Sequence, residues 1–201
     1  MMLAEQGKFL KENGWYLAGG TAFALQVGHR SSVDLDFFVE QKDFNIEDID
    51  KELTSIGLWE STLKKQGTLY GNFLKAKTSF IAYPFFKPSP DKLNYKNIFL
   101  IKPDDIAVMK IIAISQRGRK RDFVDLYWYC NNAGSLESIF SRLPEQYPQQ
   151  HNFNHILKSL TYFDDAEGDP TPNVNFMVTW PQIKSYFRRE VPILTRKLLG
   201  L

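Results

Sequence analysis

One cysteine, Cys130, in 201 residues excludes an intrachain disulfide and a cysteine-rich zinc site, and gives no sign of an oxidising compartment. Its neighbours Trp128 and Tyr129 mark it as packed rather than nucleophilic. His29 has no further ligands around it, and one histidine does not define a metal centre, so it reads as structural. No apolar run approaches the length of a membrane span, and Met1 to Lys8 lack the layout of a signal peptide. A cytoplasmic protein without a membrane partner is expected. Internal repeats and low-complexity tracts are also missing.

Charge of either sign is in small excess, with a net value of only +2, but it is unevenly spread. Residues 1–60 hold 5 basic and 11 acidic side chains, residues 61–121 hold 13 and 3, and the remainder hold 7 and 9. Lysine and arginine concentrated in one third of a chain suit polyphosphate or nucleic acid if they converge in space, and are solvated faces if they do not. With 43% apolar content the chain can bury one sizeable core.

Hydrophobic periodicity predicts a helix over 3–13, a strand over 15–18, a helix over 20–27 and a strand over 33–39. Ile46 to Ile56 reads as an amphipathic helix. Alternating runs from Leu58 to Pro84, with a turn near Gly67, predict antiparallel strands, including Thr68 to Leu74 and Ser79 to Tyr83; Asn97 to Ile101 adds one more. Helical segments follow near 103–116, 120–131, 135–143, 153–163 and 180–189, with Pro181 and Pro192 bracketing or interrupting the last. Pro84 to Pro90 and Gly168 to Pro172 are loops. Strands first and helices afterwards imply an α+β core with a helical C-terminal half.

The densest chemistry lies early. In Val33-Asp34-Leu35-Asp36-Phe37-Phe38-Val39 the alternation of a strand puts Asp34 and Asp36 on one face, with no basic neighbour inside the strand. Adjacent carboxylates repel unless a cation neutralises them, and magnesium, which takes one or two carboxylates together with substrate phosphates, suits the pair. An edge strand with a solvated polar face is the plain alternative. Before it, the apolar run Trp15 to Ala18, the Gly19-Gly20 turn and a helix with Thr21 as N-cap form a strand-turn-helix anion site, where backbone N–H groups and the helix dipole meet a phosphate.

These residues carry a resemblance. Gly19-Gly20-Thr21, a helix and then the acid-apolar-acid strand resemble the DNA polymerase β-like nucleotidyltransferase superfamily. The run through Gly28-His29-Arg30-Ser31-Ser32-Val33-Asp34 is more narrowly similar to the AbiEii-type nucleotidyltransferases, a group that includes toxins of toxin-antitoxin and phage-defence systems. Lys102 to Lys110 and Arg117 to Tyr127 resemble that family's lysine-bearing helix and its basic-Asp-x-x-Asp-Leu-Tyr segment, and Tyr162 to Glu167 has the look of its C-terminal region. The resemblance implies a polymerase β-like core of mixed or antiparallel sheet flanked by helices over 1–101, with a helical region over 102–201. It further implies a magnesium-dependent enzyme with Asp34 and Asp36 on the metal, and Gly19, Gly20, Thr21 and Ser32 at the nucleotide; Arg30 either meets a phosphate there or, as is commoner for an arginine before a strand, is simply exposed.

From position alone, Lys110 lies on or beside an apolar helix face with Ile106, Ala113 and Ile114, so it either snorkels or points into a site. Asp122 and Asp125 suit a helix N-terminus and the basic run before them. The resemblance makes Lys110 the functional lysine near the phosphates, Asp122 an active-site residue and Asp125 its support. Many members of the superfamily also carry a third carboxylate, the base for the incoming hydroxyl, on a later strand; here Ser79 stands there. Three explanations stay open: Asp122 or another acid is the base, two metals with positioning suffice, or catalysis is impaired.

The expected reaction is transfer of a nucleoside monophosphate from a nucleoside triphosphate to an acceptor hydroxyl, with RNA, such as a tRNA 3′ end, as acceptor and an antitoxin protein as partner. The rivals are a non-catalytic binding module on the same fold and an enzyme that modifies a small molecule such as an antibiotic.

Overall fold

A computed structural model describes residues 2–149 and 152–200 of the chain. It resolves into two units, one of residues 2–25 and 32–102, the other of residues 26–31 and 103–200.

The first unit is built on a seven-stranded mixed sheet of order β3-β4-β5-β2-β1-β7-β6. Its strands are β1 (Tyr16–Ala18), β2 (Leu35–Val39), β3 (Trp59–Lys65), β4 (Thr68–Phe73), β5 (Ala76–Ala82), β6 (Leu93–Tyr95) and β7 (Ile98–Leu100). β1 pairs antiparallel with β2 and parallel with β7, β2 pairs parallel with β5, and β3-β4-β5 form an antiparallel meander. Period-two patterning gives β2 its two faces: Leu35, Phe37 and Val39 are buried, whereas Asp36 and Phe38 are half-buried. On the buried face Phe37 stacks on Phe80 with centroids 5.0 Å apart, and Trp15 and Trp59 meet Phe80 edge-on. This aromatic packing fixes the register of β2 against β5, because a one-residue slip would turn Phe37 out and Asp36 in.

Two helices open the unit, α1 (Met2–Gln6) and α2 (Lys8–Glu12), where the sequence predicts a single helix over 3–13. The break is at Gly7, which accepts no cap from a side chain and lets the backbone turn with a Cβ position only 2.4 Å from the carbonyl oxygen of Leu3. α4 (Ile46–Ile56) spans the predicted residues and is capped by the Asn45 side chain, which accepts from Glu47 and Asp48 N–H. β6 has no counterpart in the sequence reading, since its three residues are all exposed and show no alternation.

The second unit is helical: α5 (Pro103–Arg117), α6 (Lys120–Asn132), α7 (Leu136–Gln146), α8 (Phe153–Ser159), α9 (Asp164–Glu167) and α10 (Trp180–Leu198). The end of α3 (Gly19–Val27) and the segment to Ser31 belong to it. Backbone bonds tie that segment to residues 173–175, through Ser31 N–H to the Asn173 carbonyl and Asn175 N–H to the His29 carbonyl. Phe123, Phe163, Trp180 and Phe187 form its aromatic core. Two helix ends differ from the prediction. α8 stops at Ser159 and α9 follows as a separate turn, and α10 runs straight through Pro192. The buried stripe Ile183, Phe187, Val191 and Leu194 holds α10 on the core despite the N–H that proline lacks.

Candidate active site

Side chains of β2 and the start of α3 meet because Ala18, the last residue of β1, is the direct partner of Asp36. Gly19 follows at φ +67°, and a Cβ there would lie 2.9 Å from Asp36 Oδ2. Only glycine allows both that backbone conformation and that approach. The helix starts here, so Thr21 lies inside the first turn of α3 and is not its N-cap. Its hydroxyl donates to the carbonyl of Asp34 and lies 2.9 Å from Ser32 Oγ. One hydroxyl proton serves one acceptor, so Ser32 donates in turn to Thr21. The pair pins the backbone that presents Asp34.

Asp34 lies one residue before β2 rather than within it, a correction to the predicted strand over 33–39. The strand is shorter because Thr21, held by Ser32, takes up the Asp34 carbonyl ahead of it. Asp34 and Asp36 nevertheless line one cleft of about 370 Å³, together with Thr62, Tyr70, Asn72, Lys77 and Ser79. Ser79 is the register partner of Asp36 across the parallel β2-β5 pair and donates from Oγ to Asp36 Oδ1 at 2.7 Å. The position expected to carry a third acid is thus beside Asp36, and it holds a hydroxyl. Tyr70, Asn72 and Lys77 were not assigned from sequence. Their signal was the alternation of β4 and β5, which means nothing for a site until the pairing register brings those strands beside β2.

In the second unit, Lys110 and Asp122 lie in a buried ionic cluster. Lys110 Nζ is 2.6 Å from both Asp122 Oδ1 and Asp125 Oδ2. Asp122 also receives Arg117 Nε at 3.1 Å. Asp125 is gripped on its other side by Arg30, through Nε at 2.6 Å and Nη2 at 2.9 Å, and by His29 Nε2 at 2.7 Å. The Arg30 Nη1 group donates to the Ser31 carbonyl. Burial by itself would raise the two carboxyl pKa values, but Lys110 and the arginines outweigh it and hold both below the usual range. Burial would lower Lys110, and the two carboxylates hold it above its usual value instead. All three groups are therefore charged at neutral pH. Cys130 lies apart from this chemistry in a half-exposed position, its thiol pushed up to about 12 by burial.

Known proteins resemble this chain in sequence and, for one solved structure, in fold. A family model described as the nucleotidyl transferase AbiEii toxin of a type IV toxin-antitoxin system matches residues 3–58 and 82–194. The chain belongs to this family. An uncharacterized protein of Aquifex aeolicus (strain VF5) is 33% identical over 181 residues, covering 89% of this chain and 87% of that protein. Among solved structures, MenT4, a nucleotidyltransferase toxin from Mycobacterium tuberculosis H37Rv, is similar in fold, with a TM-score of 0.51 at 15% identity over 91% of this chain and 76% of that one. The Megavirus polyadenylate synthase gives a TM-score of 0.46 at 13% identity, over 65% of this chain and 30% of that larger one. The AbiEii-type chain is a nucleotidyltransferase of polymerase β-like α+β fold, in keeping with the Gly-Gly-Thr and Asp-x-Asp blocks. Residues 59–81, which hold β3, β4, most of β5 and Ser79, lie outside the family match. Among the described residues no helix is long and apolar enough to cross a membrane.

Proposed function

We propose that this nucleotidyltransferase moves a nucleoside monophosphate from a nucleoside triphosphate to a hydroxyl of RNA, with magnesium at Asp34 and Asp36, as a toxin restrained by an antitoxin protein. The observation that carries this reading is the convergence of both carboxylates on one cleft, with the Gly19 turn pressed against Asp36. The donor set fits magnesium shared with substrate. Among the described residues no group of three His, Cys, Asp or Glu side chains could hold a metal by itself, whereas two carboxylates beside substrate phosphates are a usual magnesium arrangement. Bound there, the metal supplies charge neutralisation at the triphosphate and a lowered pKa for the acceptor hydroxyl.

The protein's own residues do the rest. The acceptor oxygen forms a bond to the α-phosphorus as the bond to the bridging oxygen of the β-phosphate breaks, pyrophosphate leaves, and the hydroxyl proton passes to water. Gly19, Gly20 and Thr21 receive the triphosphate at the start of α3. Ser32 and Thr21 fix Asp34, and Ser79 orients Asp36 by its hydrogen bond. With no acid at position 79, positioning and charge neutralisation carry the transfer. Within the second unit, Asp122 and Asp125 keep Lys110 ionised and oriented. Arg30, spanned by Asp125, is a positioning residue in this scheme rather than a phosphate ligand.

The test is incubation of purified protein with α-labelled triphosphates, magnesium and total RNA. Label is expected in RNA, and none from an Asp34→Ala, Asp36→Ala variant. Equal transfer by that variant, or label that reaches only small hydroxylated acceptors, would overturn the reading.

A further inference from the structure

The open face of the β3-β4-β5 meander continues from the two carboxylates into the segment that the family match leaves out. Cross-strand partners share a face, so the register sets Asp36, Ser79, Tyr70 and Leu63 in one row and Lys77, Asn72 and Glu60 in the next, and Lys77 lines the same cleft as Asp34. A third row brings Lys65 to the same side through its partner Thr68. Strands stand about 4.8 Å apart, which puts Tyr70 about 10 Å from Asp36, the reach of one nucleotide from its 3′ hydroxyl to its base. Tyr70 is 39% exposed despite its size. Residues 59–81 carry four lysines against one acid, Glu60. Lys64 faces the other way and is taken by Glu47 and Asp50, whereas Lys65 and Lys77 have no ion pair among the described residues.

An exposed aromatic ring flanked by lysines is the arrangement that holds single-stranded nucleic acid, the ring stacking a base and the ammonium groups following the backbone. We infer that Tyr70, Lys77 and Lys65 form the acceptor subsite, a platform for the 3′ end of a single-stranded polynucleotide whose terminal hydroxyl is delivered to Asp34 and Asp36. The identity of the acceptor rests on the proposed function; the binding platform does not. Asn72, on the row of Lys77, offers an amide to the base edge.

The experiment measures binding of a fluorescent single-stranded RNA oligonucleotide by anisotropy, without triphosphate or magnesium, for wild type, Tyr70→Ala, Tyr70→Phe and Lys77→Ala, each checked for its fold by circular dichroism. Tyr70→Ala is expected to weaken binding by about tenfold or more and Tyr70→Phe to restore it, since loss of one stacked base costs roughly that factor. Lys77→Ala is expected to weaken binding and to flatten its dependence on salt. Where transfer is measurable, KM for RNA should rise in both alanine variants while KM for the triphosphate holds. Unchanged oligonucleotide binding, or a loss confined to triphosphate affinity, overturns the inference. Because the binding arm needs no turnover, a failure of the transfer assay leaves it readable and is a failure of the proposed reaction alone.

Discussion

Asp125 and Arg30 are joined by two hydrogen bonds, 2.6 and 2.9 Å long, across 95 positions of sequence. Both oxygens of the carboxylate are engaged, and Lys110 and His29 add to the same group. The consequence is mechanical: the segment that leads toward Ser32 and Asp34 is clamped onto α6 by a side-chain fork as well as by its backbone bonds to residues 173–175.

Cutting that clamp should cost stability. Arg30→Ala strips the buried Asp125 carboxylate of two hydrogen bonds, and Asp125→Ala takes this carboxylate from Arg30 and leaves Lys110 with Asp122 alone. Removing one member of a buried ion pair typically costs about 3–5 kcal/mol, because the survivor remains charged and desolvated. Urea denaturation of both variants should show losses of that order. The double variant should be less harmed than the sum of the two, since neither charge is then left alone. A loss below about 1 kcal/mol would mean that water reaches the cluster.

The same cluster sets a pH window. Asp122 and Asp125 have folded pKa values below the ordinary carboxylate range, so the unfolded chain binds more protons as pH falls past about 4. Their contribution is present above that pH and is lost progressively on further acidification. Lys110 has a raised pKa, so its contribution is full below about 10 and is lost as pH rises through the folded value. Stability measured by chemical denaturation should therefore be flat in the neutral range and fall on both sides. Asp125→Asn should lower the plateau and reduce the slope on the acid side; an unchanged acid slope would assign the acid loss to other carboxylates.

Patterning made most of this architecture legible in the sequence, and the exceptions have physical reasons. α4 and β2 were readable because Ile49 and Leu53, and Phe37 and Val39, repeat at helical and strand periods against one buried face. α10 was read as too short, since Pro192 is a strong local signal and the stripe at Val191 and Leu194 that overrides it is a tertiary effect. The turn at Gly19 and the placing of Asp34 and Asp36 on one side were legible from local order. Arg30 was not, because its partner lies far along the chain, and nothing local separates an arginine bound for Asp125 from one at a phosphate. Tyr70 and Lys77 were hidden for the same reason, as strand pairing is non-local.

Gly19 offers a sharp test of the carboxylate arrangement. A methyl group at φ +67° costs about 1–2 kcal/mol in backbone strain, and it would stand 2.9 Å from Asp36 Oδ2. The chain relaxes by moving the carboxylate. Misplacement of a reacting group by about 1 Å can cost roughly a hundredfold in rate. Gly19→Ala should keep its circular dichroism spectrum, melt about 2–8 °C lower and lose label transfer by about that factor. Wild-type transfer by Gly19→Ala would show that the position of Asp36 is not critical.

Ser79 is the place where the cleft can be rewritten. Its hydroxyl neutralises nothing; it donates one hydrogen bond to Asp36 Oδ1 and leaves the site with two carboxylates. Ser79→Asp puts a third acid within hydrogen-bonding range of Asp36, and without a cation the two repel, raising one carboxyl pKa at a cost on the order of 1–2 kcal/mol. With a divalent ion the sign reverses, since the new carboxylate adds an oxygen ligand that wild type lacks. Melting in a chelator should therefore place Ser79→Asp below wild type, and millimolar magnesium should raise its melting temperature by more than it raises that of wild type. Ser79→Ala separates the two roles of the position: it removes the hydrogen bond without adding charge and should show no gain from magnesium beyond that of wild type. If Ser79→Asp and wild type respond equally to magnesium, the ion does not bind next to Asp36, and the assignment of the metal to this cleft fails with it.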